Sequence, residues 1–212
     1  MKRMKSMNEN PGKKNISMDL IKALREKSSA SIMDCKRALE EAEGDFEKAI
    51  NILKQKGINI AQKKASRVTK EGAIGSYIHT GSKLGVMVEV NCETDFVARN
   101  EQFKELINEI AMQIAASDPK YIDASMIPPE LIESVKQSFL REIEESCKNV
   151  EDKEKLLEEK LKMYLSEVSL YDQPFIKDPS ITIRELIQSA IAKFGENITV
   201  SRFVRYKLGE LK

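Results

Sequence analysis

An α+β fold is predicted for this 212-residue chain by three features of its sequence. Apolar residues recur at helical spacing through the first quarter. A central stretch of alternating apolar residues is split by Gly81-Ser82-Lys83. A β-branched and aromatic run, residues 198–208, lies near the end. The second and third features belong together, because an isolated hairpin or strand is marginal in water and three strands with an apolar face are not. The expected architecture is a three-helix bundle over residues 16–57, then a core holding a small antiparallel three-stranded sheet packed with helices and a helical hairpin. Residues 1–15 read as a disordered basic tail, 58–71 as a lysine-rich linker and 72–212 as the core domain.

Each element has a local cause. Ser17 caps the first helix, in which Leu20, Ile21 and Leu24 share a face. Ser31 and Asp34 have capping-box-like spacing before a helix carrying Ile32, Cys35, Leu39 and Ala42 on one side. Gly44 stops that helix. Asp45 opens a third, with Phe46, Ala49, Ile50 and Leu53 inward and Gly57 as its expected end. Ile74 and Ile78, then Val86, Val88 and Val90, make the hairpin. Asn100 caps a helix striped by Phe103, Leu106, Ile107, Ile110 and Ile114, and Asp118-Pro119 ends it. Pro128-Pro129 opens a charged helical region that runs to about Val168 and breaks near Asn149, which suggests a helical hairpin whose charges form a solvated face. Residues 173–179 read as a loop, and Ile183–Phe194 as a helix stopped by Gly195.

Composition excludes several function classes. Apolar residues are 41 % and charged residues 33 %, the balance of a soluble globular protein with a heavily solvated surface. Formal net charge is +1, without the basic excess that a nucleic-acid backbone binder carries, so no direct nucleic-acid contact is expected. Three cysteines and one histidine fit neither a disulfide framework nor a closed zinc site, and they suggest a reducing compartment. No apolar run approaches a membrane span. A cytoplasmic location is expected. Abundant lysine and isoleucine keep a plastid stroma as the alternative.

No Gly-rich phosphate loop, nucleophile elbow or paired His/Asp arrangement is present, so catalytic, metal and cofactor residues are all expected to be none. Cys92 and His79 could form a thiol–imidazole pair across the hairpin, but the strand end equally suits a small buried cysteine. The polar break after Val90 carries more information. Asp95-Phe96 sits in the connection before a helix, where two readings of Phe96 stand. The ring either starts the packing of the next helix or inserts into a partner. Asp95 is likewise either a helix cap or a partner contact.

The segment Thr94-Asp95-Phe96-Val97, within Val90–Asn100, resembles the signature of the elongation factor Ts family. Leu20–Leu39 resembles that family's N-terminal module, and Gly75–Val90 with Glu196–Glu210 resembles its core. The resemblance implies a ubiquitin-associated-like bundle and a guanine-nucleotide exchange factor for elongation factor Tu that acts by binding, not as an enzyme. It implies that Thr94, Asp95, Phe96 and Val97 displace the partner's Mg²⁺ site, and that Arg25, Ile32 and Met33 touch its GTP-binding domain. Ser76-Tyr77-Ile78-His79 matches a further family pattern, which makes His79 a partner contact. Ser29 and Ser31 stand where the family often has glycines, implying a stiffer loop. The chain resembles the short, single-module form, so homodimerisation is expected as well. The alternative is a ribosome- or RNA-associated binding module without exchange activity.

Overall fold

The structure, a computed structural model, describes residues 16–28, 30–146 and 150–210. The tail over residues 1–15 and Ser29 lie outside the described residues.

Three helices open the fold: α1 (Met18–Ser28), α2 (Ile32–Glu41) and α3 (Phe46–Lys64). Their starts are capped as the side chains dictate. Leu20 N–H donates to Ser17 Oγ at 3.2 Å, Asp34 N–H to Ser31 Oγ at 3.1 Å and Lys48 N–H to Asp45 Oδ1 at 3.0 Å. Each such cap is worth about 1 kcal/mol. Ile21, Leu24, Cys35, Ala38, Leu39, Ala42 and Ala49 close a separate small core among the three helices.

The third helix corrects the expected linker over residues 58–71. It does not stop at Gly57 but continues to Lys64. Gly57 is buried and faces Ala192 and Gln188, and Ala61 is buried in the main core with Ile60 packed beside it. Leu53, Gly57 and Ala61 recur every four residues, so one face of α3 stays apolar while the lysines around it face water. Only residues 65–70 connect the helix to the sheet.

The sheet comprises β1 (Glu71–Ile78), β2 (Leu84–Cys92) and a late strand. The β1–β2 turn closes through His79 N–H to Leu84 O at 2.8 Å, and Gly81 takes φ +88°, where a Cβ would be strained. After β2 come α4 (Asp95–Ala98) and α5 (Glu101–Ser117). Helix α5 lies on the sheet face formed by Val86, Val88, Val90 and Cys92. It approaches so closely that a Cβ on Gly75 would stand 2.2 Å from Ile107 Cγ2.

The charged region forms the expected hairpin, α6 (Pro129–Ser146) and α7 (Val150–Val168). Residues 173–179, expected to be a loop, contain β3 (Pro174–Phe175) paired with β4 (Asp178–Thr182). Buried Gln113 of α5 anchors this ribbon by donating to Pro174 O at 3.2 Å and accepting Ile176 N–H at 2.9 Å. Helix α8 (Ile183–Phe194) follows with a complete capping box on Thr182 and Glu185, and β5 (Thr199–Lys207) completes the antiparallel sheet in the order β1-β2-β5. The register slips between Glu89↔Arg202 and Val90↔Val200, leaving Ser201 as a bulge. The bulge lets Val200 and Phe203 share the inner face although they lie three apart.

Candidate functional site

The loop after β2 carries the sequence-predicted residues. Thr94, not Asp95, is the cap of α4: its Oγ accepts Val97 N–H at 3.5 Å while Asp95 occupies the first helical position. Asp95 pairs with Arg99 one turn on, at 2.9 Å. A helix this short sorts its side chains strictly. Val97 is 5 % exposed and joins the main core, whereas Phe96 is 80 % exposed. The reading of Phe96 as the start of core packing is thereby overturned, because Val97 and Ala98 already supply the inward contacts.

The backbone beneath the ring is held from three directions. Glu196, in the α8–β5 connection, accepts Glu93 N–H at 3.1 Å and Thr94 N–H at 3.0 Å on one oxygen, and Thr94 Oγ–H at 2.6 Å on the other. Glu93 returns the arrangement by accepting Asn197 N–H at 2.6 Å, and it pairs with Arg67 at 3.3 Å. The Asn197 N–H, followed by the Arg67 guanidinium, holds the Glu93 carboxyl below its ordinary value. From below, Cys92 Sγ donates to Thr94 O at 3.2 Å.

The Cys92 side chain is fully buried. Burial, and then the Glu196 carboxylate nearby, push its thiol up to about 11. His79 stands at the other end of the hairpin, since Cys92 pairs with Glu71 while Ile78 pairs with Gly85. Eight residues of β1 separate them by roughly 25 Å. His79 is exposed and its Nδ1 lies 3.0 Å from Tyr77 Oη. The structure therefore does not bring His79 to the Asp95-Phe96 loop.

The bundle offers a second exposed group. Arg25 faces solvent, and Ile32 and Met33, at the start of α2, are 48 % and 58 % exposed. The helical spacing that admitted Ile32 to the bundle core is satisfied instead by Cys35, Ala38 and Leu39. Among the described residues, no group of three or more His, Cys, Asp or Glu side chains is gathered to hold a metal, and no helix is long and apolar enough to cross a membrane.

Sequence reasoning missed Glu93, Glu196, Asn197 and Arg67. Their partners lie over a hundred residues away or across the α3–β1 connection, and no periodicity encodes such pairings. A polar Glu196-Asn197 immediately after the helix stop at Gly195 was the one local signal.

Similarity to known proteins extends over most of the chain. A family model described as Elongation factor TS matches residues 9–210. The elongation factor Ts of Thermodesulfovibrio yellowstonii is 54 % identical over 195 residues, covering 92 % of this chain and 97 % of its own. That of Koribacter versatilis is 52 % identical over 197 residues, covering 93 % and 90 %. An elongation factor Ts of Synechococcus is 53 % identical over 197 residues, but the match covers 70 % of its own length, so relatives of different length share this region.

Proposed function

The chain belongs to the elongation factor Ts family, and from that membership we propose that it is a guanine-nucleotide exchange factor for elongation factor Tu. It binds the GDP-bound GTPase, opens the phosphate and Mg²⁺ site, and stays bound until GTP enters. The observation that carries this reading is Phe96, an aromatic ring 80 % exposed on a short helix whose cap, Thr94, is held by Glu196. Such a ring loses little entropy on insertion, which is what makes aromatic anchors effective.

No covalent step is needed. A protein that binds the nucleotide-free GTPase more tightly than the GDP-bound one loosens GDP by the same factor. A thousandfold faster release requires about 4 kcal/mol of differential stabilisation, within reach of one buried aromatic and its neighbours. Phe96 fills an apolar pocket of the G domain. Asp95, beside it, disturbs the magnesium-side contacts, and Thr94 and Val97 hold the pair in place. Arg25, Ile32 and Met33 anchor the bundle at a separate contact, which raises the effective concentration of the wedge. His79 contacts another part of the partner. The protein works where its GTPase works, in the cytoplasm or a plastid stroma.

The open side of the sheet supports a second contact, with another copy of the chain. Ile74, Ile78, Met87 and Tyr206 are large apolar residues exposed on β1, β2 and β5. The register sets them on the face opposite α5: Ile78 and Tyr206 flank Gly85, and Met87 lies between Ser76 and Val204.

The test of exchange is release of labelled GDP from elongation factor Tu with and without this protein. Acceleration that saturates with added protein is expected. Release at the spontaneous rate would refute the reading and leave the ribosome- or RNA-associated module as its replacement.

A further inference from the structure

The Glu196–Asn197 turn and the Glu93–Thr94 loop lie about a hundred residues apart in sequence, yet each lends its acid to the other's backbone. Glu196 uses both carboxylate oxygens on the 93–94 segment, at 2.6–3.1 Å, and Glu93 accepts Asn197 N–H at 2.6 Å. Among the described residues Glu196 takes part in no ion pair, so its charge is spent on N–H and O–H donors of this one loop. Charge-assisted bonds of this kind are short and about twice as strong as neutral ones.

The same turn is fastened to the end of α3. Asn197 Nδ2 donates to Arg67 O at 2.9 Å and to Ala65 O at 3.4 Å, and Lys64 Nζ donates to Gly195 O. Arg67 also pairs with Glu93. The mount of the Phe96 ring is therefore not free-standing. It is braced against the connection that joins the bundle to the sheet.

We propose that Glu196 is a positioning residue for nucleotide exchange, fixing the backbone at Glu93–Thr94 so that the Phe96 ring is held in its partner-ready direction before binding. The inference rests on the exchange reading given above. Its physical content is a population. If the clamp keeps the loop in the competent geometry, releasing it lowers the competent fraction, and apparent affinity falls by that fraction. The rate of GDP release inside the saturated complex stays nearly intact, because the bound ring still occupies its pocket. Loss of the ring itself lowers that maximal rate instead.

The chain contains no tryptophan, so Phe96→Trp places a single indole on the mount. Its fluorescence anisotropy decay is measured in the full chain with Glu196 intact, with Glu196→Gln and with Glu196→Ala. Glu196→Ala should add a fast, large-amplitude component. Glu196→Gln should fall between the intact chain and Glu196→Ala, since its amide oxygen still accepts the two backbone N–H groups but carries no charge, and its amide nitrogen cannot accept the Thr94 hydroxyl proton. In the Phe96 background, Glu196→Ala should need about tenfold more protein for half-maximal GDP release, at a maximal rate within about twofold of normal. Phe96→Ala should lower the maximal rate. Melting temperatures are recorded for every variant. Unchanged indole mobility in Glu196→Ala overturns the proposal whatever the exchange assay gives. An unchanged half-saturation accompanied by a lowered melting temperature also overturns it, leaving Glu196 a brace of the fold alone. If the native chain releases no GDP, the exchange reading fails on its own, and the anisotropy still decides whether Glu196 holds the mount.

Discussion

Phe96 and Val97 are neighbours on a four-residue helix, and one step of about 100° around its axis sends one side chain to solvent and the other to the core. Their truncations should therefore separate function from stability. Phe96→Ala removes no core contact, so its melting temperature should match that of the native chain. Its exchange activity should fall by one to two orders of magnitude, about 1.5–3 kcal/mol of lost hot-spot energy. Val97→Ala should do the reverse, costing about 1–3 kcal/mol of stability through a cavity while the folded molecules still exchange. Melting and GDP release measured side by side on both variants check this. A Phe96→Ala protein that melts far earlier and exchanges normally would return the ring to the core.

Helix α5 owes its seat on the sheet to the missing side chain of Gly75. Gly75→Ala forces its new Cβ against Ile107, which is itself buried, so overpacking should cost about 1–3 kcal/mol. Denaturant midpoints would register the loss, and Gly75→Ala with Ile107→Leu, which has no Cγ2, should recover part of it. In the bundle, α2 and α3 are joined by Lys56 and Asp34. The Lys56 ammonium, followed by the Ser31 hydroxyl, holds the Asp34 carboxyl below its ordinary value of 3.8. A depressed folded value means that this stabilisation is full above the carboxylate range and is lost as pH falls through the folded value. Asp34→Asn should accordingly lower the melting temperature near neutral pH, and the difference from the native chain should vanish once the pH has fallen below the depressed folded value. A difference that persists in acid would assign the effect to packing.

The two cores of the molecule are not symmetric partners. The bundle closes its own small core, while α5, α8 and the end of α3 share the larger one with the sheet. Among the described residues the sheet is covered on one face, and its other face presents Ile74, Ile78, Met87 and Tyr206 to water. If that face meets a second copy, sedimentation should show mass rising with concentration. Met87→Lys, at the centre of the patch on the middle strand, should hold the chain monomeric without changing its melting temperature at low concentration. A native chain of constant monomer mass would remove the contact.

What could be read along the chain was whatever neighbouring residues decide among themselves. The caps at Ser17, Ser31, Asp45 and Asn100, the turn at Gly81 and the stop at Gly195 are each settled within a few positions, by one side-chain oxygen or one backbone conformation. Alternating apolar and β-branched residues likewise sufficed for the three strands, and the proline pair at 128–129 opening a charged run sufficed for the helical hairpin. The Thr94–Val97 segment could be singled out because it resembles the family signature and sets a large aromatic beside an acid at a turn. Tertiary structure decided the rest. Whether α3 stops at Gly57 depends on α8, which supplies the apolar surface that residues 58–64 cover. The bulge at Ser201 depends on β2. That Phe96 faces outward, and that Glu196 holds its mount, follows from where the α8–β5 connection crosses the end of β2. A carboxylate and an N–H a hundred residues apart leave no mark on each other's local sequence, because their bond exists only after the sheet has closed.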